Sequence, residues 1–395
     1  MNNMRQETSL LDRFGTDSLK WDGLTETFGR ADLLPLWVAD MDFKTPLCVR
    51  QALHKAVDQG AFGYYQPPER FYESILNWER TRHGMTWKRD WIRTTNGVVS
   101  GLFHLVQALT RPGDGILLLT PVYYPFYRVV EGTGRRAVCC PLREEKGRYT
   151  LDPDAFARTL ERERVSFFLL CSPHNPVGRV WTQAELTGML ETCRRYGVRV
   201  IADEIHHDLI LPGHTHFSAA GLWEGEGKPI TFFSASKTFN LAGMKSSVLM
   251  LPEEEDRTKF DEFEARLGGG GCSTLDYVAV TAAFEEGAPW LDMVLEEVAA
   301  NEALLREALA PYSVRISPLE GTYLLWMDLG EIVPENRLRD FILDDCRIAP
   351  DFGRWFYPSQ IDTGAHIRLN LAAPRATIRQ AAEQLTGGIR KKLGG

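Results

Sequence analysis

Short, almost wholly apolar runs alternate with stretches of helical period along the first three quarters of the chain. The runs are WIRTT (91–95), GILLLT (115–120), RRAVCCPL (135–142), VSFFLLCS (165–172), VRVIAD (198–203), ITFFSA (230–235) and SVLML (247–251), and they read as strands. Between them, VVSGLFHLVQALT, PFYRVVEGT, LDPDAFARTLER and TQAELTGMLETCRRYG place apolar residues at helical spacing. A strand with one wet face alternates in polarity, whereas a strand that is apolar throughout is covered on both faces. The pattern therefore predicts an α/β fold: a mostly parallel, seven-stranded sheet between layers of helices.

From about Ala288 the pattern changes. A long helical stretch, PWLDMVLEEVAANEALLREALA, leads to VRISP, GTYLLWMDL, RLRDFILDDC, HIRLNL and a last helix. That mixture suggests a smaller α+β unit. The expected division is an arm over 1–45 that packs on the small domain, a large domain over 46–287 and a small C-terminal domain over 288–395. The glycine run in LGGGGCST (267–274) resists a fixed conformation and is expected to be a connector rather than a mobile flap.

Composition narrows the function. With 395 residues, 44% hydrophobic and 25% charged, the chain suits a soluble protein with a large core. A net charge of -8 without a basic stripe speaks against nucleic acid. Seven cysteines, none at metal spacing, fit a reduced, cytoplasmic chain. The start, MNNMRQETSLLDRFGTDSLKWDG, lacks the apolar core of a signal peptide. No apolar run approaches the roughly 20 residues that cross a bilayer, so no membrane partner is expected.

Ligands of open parallel sheets bind beyond the carboxyl ends of the strands, so the residues there carry the chemistry. After WIRTT, Gly97 turns the backbone into a helix whose first amides suit an anion, although a plain glycine turn reads the same. Tyr123 follows GILLLT, with a ring to lie on a flat ligand or to pack on its own domain. Asn175-Pro176 ends the fourth run, as a hydrogen-bond donor or as a common turn. Asp203 ends VRVIAD; a carboxylate at the buried end of an apolar strand needs a cationic partner. His206 and His207 follow it, but adjacent histidines point apart, which argues against a shared metal. Finally, Lys237 lies in FFSASKTFNLAGMKSS behind Ser234 and Ser236, with Lys245 beyond, boxed by two apolar runs. Loss of water lowers an amine's pKa, and a neutral amine can condense with an aldehyde. One ligand needs an anion pocket, a stacking ring, a donor, a carboxylate and a reactive lysine together: pyridoxal 5′-phosphate.

As a set, TNGVVSGL, TPVYYPFY, SPHNPVGRVW, ADEIHHDLI and SASKTFNLAG resemble the aminotransferases of fold type I. LPLWVADMDFKTP (34–46) and AFGYYQPPE (61–69) resemble, more narrowly, the MalY/PatB branch, carbon–sulfur β-lyases acting on cystathionine and related cysteine conjugates. The resemblance spans residues 12 to 390. It implies that Lys237 is the lysine bound to the cofactor aldehyde and Asp203 the partner of the pyridine nitrogen. Asn175 would bond the ring O3′, and Tyr123 would stack on the ring. The amides of Val98 and Val99, with Ser234, Ser236 and, less typically, Lys245, would hold the phosphate. Many aminotransferases carry tyrosine where His206 stands, and the histidine looks like the lyase branch. Arg368, in HIRLNLAAPR, would bind the substrate α-carboxylate as a bidentate pair beside the Ala39 backbone. Tyr64 would reach the phosphate of a neighbouring subunit's cofactor, which implies a homodimer with shared active sites.

The same residues serve two outcomes after Cα loses its proton. A thiolate can leave Cβ, giving pyruvate and ammonia, or the proton can return to the cofactor, giving transamination. The resemblance at residues 36–46 and at His206 favours the β-lyase; an aminotransferase is the alternative, and a regulatory protein that keeps the fold is a further one.

Overall fold

The computed structural model describes residues 11–269, 271–358 and 363–394. The first ten residues of the arm, Gly270 of the glycine run and part of the aromatic-rich loop before Arg368 lie outside the described residues.

A seven-stranded sheet forms the larger layer. Its order is Ile92–Thr95, Ser247–Met250, Ile230–Phe233, Arg199–Asp203, Val165–Cys171, Gly115–Thr120, Arg136–Pro141. Ser247–Met250 runs antiparallel to both neighbours, while the pairings from Ile230–Phe233 across to Arg136–Pro141 are all parallel. Period-two alternation then explains the apolar runs. Ile116, Leu118, Phe167, Leu169 and Ile201 meet Leu102, Leu105 and Val106 of the Val98–Leu109 helix on one face. Leu117, Leu119, Phe168, Leu170 and Val200 meet Leu186, Met189 and Leu190 of the Gln183–Arg195 helix on the other. Each run thus feeds two cores, and at about 25 cal/mol per Å2 such double burial is the chief stabilising term. Gly101 lets the Val98–Leu109 helix seat closely, since a Cβ there would lie 2.5 Å from Thr95 Oγ1 and 2.6 Å from the Phe232 ring.

The C-terminal part builds an antiparallel sheet in the order Arg315–Ile316, Leu324–Asp328, His366–Asn370, Asp351–Phe352. The helices Ala288–Leu309 and Arg375–Gly394 share its core through Val298, Leu305, Ile378 and Leu385. The RLRDFILDDC stretch is helical over Glu335–Asp340 and widens into a π-turn over Phe341–Asp345.

The arm joins the two sheets. Leu34–Pro35 pairs in parallel with Ile348–Ala349 of the C-terminal part. Asn370 Nδ2 then donates to the carbonyls of Val38 (2.7 Å) and Asp40 (2.6 Å). From the other side, Asn240 Nδ2 donates to the carbonyls of Met41 (3.0 Å) and Phe43 (2.8 Å). Buried Asp42 anchors the segment by accepting from Lys20 Nζ at 2.7 Å and Trp21 Nε1 at 2.9 Å. Residues 38–43 are therefore held by backbone bonds from both directions, and Ala39 is placed above the sheet's carboxyl edge.

Candidate active site

A cavity of about 260 Å3 opens at that edge, lined by strand ends and the arm. Gly97 adopts φ 89°, a conformation glycine reaches without strain, and turns the chain into the Val98–Leu109 helix. No side chain caps that helix, so its leading amides at Val98, Val99 and Ser100 face the cavity they line. Ser236 and Lys245 line the same end. Free amides, a helix dipole, a hydroxyl and an ammonium together suit a phosphate.

Asp203 is the last residue of a central strand, flanked by Cys171 and Phe232. Burial pushes its carboxyl up to about 7; the Ile205 amide, donating at 3.1 Å, and the charge of Lys237 only partly oppose this. A carboxylate in that condition gains from a cation placed against it. His206 follows in the turn after the strand and lines the cavity. Burial drives its pKa well below the usual imidazole range, and its Nδ1 is buried without a hydrogen-bond partner among the described residues. An orphaned buried nitrogen of this kind is costly unless a ligand meets it.

Lys237 sits on the helical turn Ala235–Thr238. Its Nζ donates to the Ala39 carbonyl at 2.7 Å, and Tyr323 Oη donates to the same oxygen at 2.9 Å. Burial brings the lysine down to about 8, despite the opposing charge of Asp40, and Arg368 adds to the fall. A substantial neutral fraction near pH 8 is what nucleophilic attack requires.

Tyr123 lines the cavity, and burial raises its hydroxyl pKa, so the phenol stays protonated. Asn175 lines it too; its Oδ1 accepts from Arg368 NH1 at 2.7 Å, which leaves the amide nitrogen to donate elsewhere. Arg368 lies behind Asn175, buried rather than on the cavity wall.

Ser234 and Tyr64, like Arg368, are not among the residues that line this cavity. Ser234 was expected at the phosphate, but its hydroxyl is engaged within the protein. It accepts from the Ser236 amide at 3.0 Å and donates to the Ser246 carbonyl at 2.5 Å. This capping bond starts the helical turn that carries Lys237, so the serine shapes the site from behind. Tyr64 is fully exposed and is not part of this chain's own cavity lining. Tyr323 and Asp351 escaped the reading of the sequence. Tyr323 is hidden inside an apolar strand motif. Asp351 carried a usable signal, a lone acid after RIAP, of the kind that singled out Asp203.

His206 and His207 do point apart. His207 faces away from the cavity, where its Nε2 pairs with Glu79 Oε1 at 2.9 Å and its Nδ1 bonds the Glu204 carbonyl at 2.7 Å. His83 Nε2 pairs with Asp208 Oδ1 at 2.7 Å. Ligand atoms of Glu79, His83 and His207 lie within 4.8 Å of one another, but these partners already occupy them.

The cavity thus offers a phosphate end, an amine, a carboxylate that wants a cation and an unpartnered imidazole nitrogen. These groups fit an aldehyde-bearing, phosphorylated pyridine.

Residues 31–385 match the family model described as aminotransferase class I and II, and the chain belongs to that family. Within it the chain falls in the MalY/PatB branch. It is 35% identical to cystathionine beta-lyase PatB of Bacillus subtilis, over 96% of this chain and 98% of PatB. It is 30% identical to protein MalY of Escherichia coli, over 97% of this chain and 98% of MalY. Among solved structures it resembles cystalysin from Treponema denticola, which contains pyridoxal 5′-phosphate. There the TM-score is 0.93 at 32% identity, over 98% of each chain.

Proposed function

We propose that this chain is a pyridoxal 5′-phosphate-dependent carbon–sulfur β-lyase that cleaves cystathionine or other L-cysteine S-conjugates to a thiol, pyruvate and ammonia. One observation carries the cofactor reading. A desolvated amine, Lys237, shares a cavity with a helix N-terminus and with Asp203, a buried acid short of a cation. The similarity to PatB and cystalysin supports the β-lyase within that chemistry.

When bound, the cofactor supplies an aldehyde that condenses with amines and a ring that accepts negative charge while its nitrogen is protonated. Asp203 would hold the proton on that nitrogen. Val98, Val99, Ser236 and Lys245 would hold the phosphate, Tyr123 would cover the ring, and Asn175 with His206 would face its hydroxyl oxygen. Lys237 would tether the aldehyde, then take the proton from the substrate Cα and direct it onward. Arg368 would hold the α-carboxylate, with the Ala39 backbone beside it. The burial of these groups limits water at Cα, which strengthens each charge interaction.

A homodimer completes this reading. Phe62, Tyr64 and Tyr65 form an exposed aromatic stretch that would extend to a second copy's phosphate end. The three-part division at residues 45 and 287, and a cytoplasmic setting, belong to the same proposal.

The decisive experiment offers the holoenzyme a panel of cysteine conjugates, with pyruvate, thiol and amino-acid products measured. Repeated release of pyruvate and thiol supports the lyase. Stoichiometric conversion of the cofactor to its amine form, without pyruvate, would establish the aminotransferase instead.

A further inference from the structure

Asp351 is a buried carboxylate, 2% exposed, with no part in the chemistry proposed above. It stands directly opposite Arg368 across two antiparallel strands, a register that puts both side chains on one face of the sheet. One oxygen, Oδ2, accepts from the arginine Nε at 3.0 Å and also from NH2. On the other flank NH1 donates to Asn175 Oδ1 at 2.7 Å. The Phe356 ring packs against the guanidinium, 4.7 Å from carbon to centroid. Groups from three separate segments therefore fix one side chain.

A guanidinium has five N–H groups. Asp351 takes the Nε–H and one on NH2, and Asn175 takes one on NH1. One N–H remains on each terminal nitrogen, and two N–H groups on the terminal nitrogens can meet a carboxylate bidentately.

We propose that Asp351 is a positioning residue for recognition of the substrate α-carboxylate: it grips the Nε edge of Arg368 so that the terminal fork is aimed before substrate arrives. This rests on the reading of Arg368 given above. A free arginine side chain loses rotamer entropy when it is fixed, and holding it in place beforehand removes that cost from binding. The rival role is an internal competitor, a carboxylate that occupies the arginine until substrate displaces it. The edge-on contact argues against that role, because the terminal fork needs no displacement.

The two roles predict opposite results, and a pair of amines separates them. Glycine is methylamine plus a carboxylate, and both perturb the visible spectrum of the holoenzyme on binding without turnover of a thiol. Spectral titration of the Asp351→Ala holoenzyme is expected to show glycine binding at least tenfold weaker and methylamine binding within twofold of wild type. Asp351→Asn keeps an acceptor oxygen and is expected to lie between, at about threefold; it carries the test if the alanine variant does not fold. Unchanged or tighter glycine binding would overturn the proposal in favour of the competitor. Equal weakening of both amines would reduce Asp351 to a structural role. Arg368→Ala is the control: if it leaves glycine binding intact, the reading of Arg368 fails, independently of Asp351.

Discussion

Two buried charge clusters lie side by side in this chain, and their acids, Asp203 and Asp208, are separated by four residues in sequence. Asp203 belongs to the cavity, where among the described residues its carboxylate accepts from a backbone amide alone and its neighbour His206 has an orphaned nitrogen. Asp208 belongs to the network behind it. It accepts from Trp78 Nε1 at 3.0 Å, pairs with His83 at 2.7 Å and accepts from Thr238 Oγ1 at 2.8 Å. Their pKa values move in opposite directions. Burial raises Asp203 to about 7, whereas charged and hydrogen-bonding neighbours hold Asp208 well below the usual carboxylate range. The difference teaches how to tell a binding group from a structural one. A satisfied buried acid belongs to the fold, and an unsatisfied one belongs to something that binds.

The contrast sets the expected outcomes of substitution. Lys237→Ala has the largest effect: the visible absorbance of the lysine-bound cofactor is lost and turnover disappears with it, while the melting temperature of the apoprotein stays within a few degrees. Residual turnover near wild type would remove Lys237 from the centre of the reaction. Asp203→Asn comes next. Loss of the Cα proton, followed by solvent exchange at Cα, slows by orders of magnitude, because a neutral amide no longer holds the ring nitrogen protonated. The apoprotein does not lose stability, since an ill-paired buried carboxylate is replaced by a neutral isostere. Exchange at the wild-type rate would refute the role of Asp203. Asp208→Ala reverses the pattern: it removes the buried acceptor shared by Trp78, His83 and Thr238 and one of the acids facing His207, and costs about 3–5 kcal/mol in denaturant unfolding. If it instead leaves stability intact and abolishes chemistry, the two clusters have been assigned the wrong way round.

The fold was largely legible. Seven apolar runs became seven strands because burial on both faces removes the polar alternation that confuses shorter elements. The strand-end rule found Asp203, Asn175 and Tyr123 because topology, not conformation, puts strand ends together. What local pattern does not reach has a different cause. The sequence shows that Ser234 lies beside Lys237, but not that its hydroxyl turns inward to cap a helical turn. Tyr323 reaches the site from the C-terminal part, inside an apolar strand motif, and Asp351, though a lone acid after RIAP, is tied to the site only through its pairing with Arg368. Tyr64 depends on a second copy of the chain, whose geometry a single sequence does not describe.

The paired network also predicts a pH dependence that the cavity does not share. His207 is raised to about 10, because the carboxylates of Asp208 and Glu79 outweigh the cost of burying its charge, with Glu204 adding to them. Its ring also lies 4.2 Å from that of His83, centroid to centroid, so two imidazoles share the acids. The folded pKa stands above the ordinary value of 6.5. The folded protein therefore keeps a proton that the unfolded chain releases. The stability this confers is complete below about pH 6.5 and is lost as pH rises through about 10. Wild-type apoprotein should show a falling melting temperature between those limits. His207→Gln, which cannot carry the charge, should begin lower and fall less over the same range. Apoprotein avoids the confounding titration of the cofactor, and Lys237, lowered from 10.5 to about 8, adds stability as pH rises through that range, equally in both proteins, so it cancels in the comparison. Parallel curves for wild type and His207→Gln would show that His207 is not held as a cation, and the view of the network as a fully paired charge cluster would fall with it.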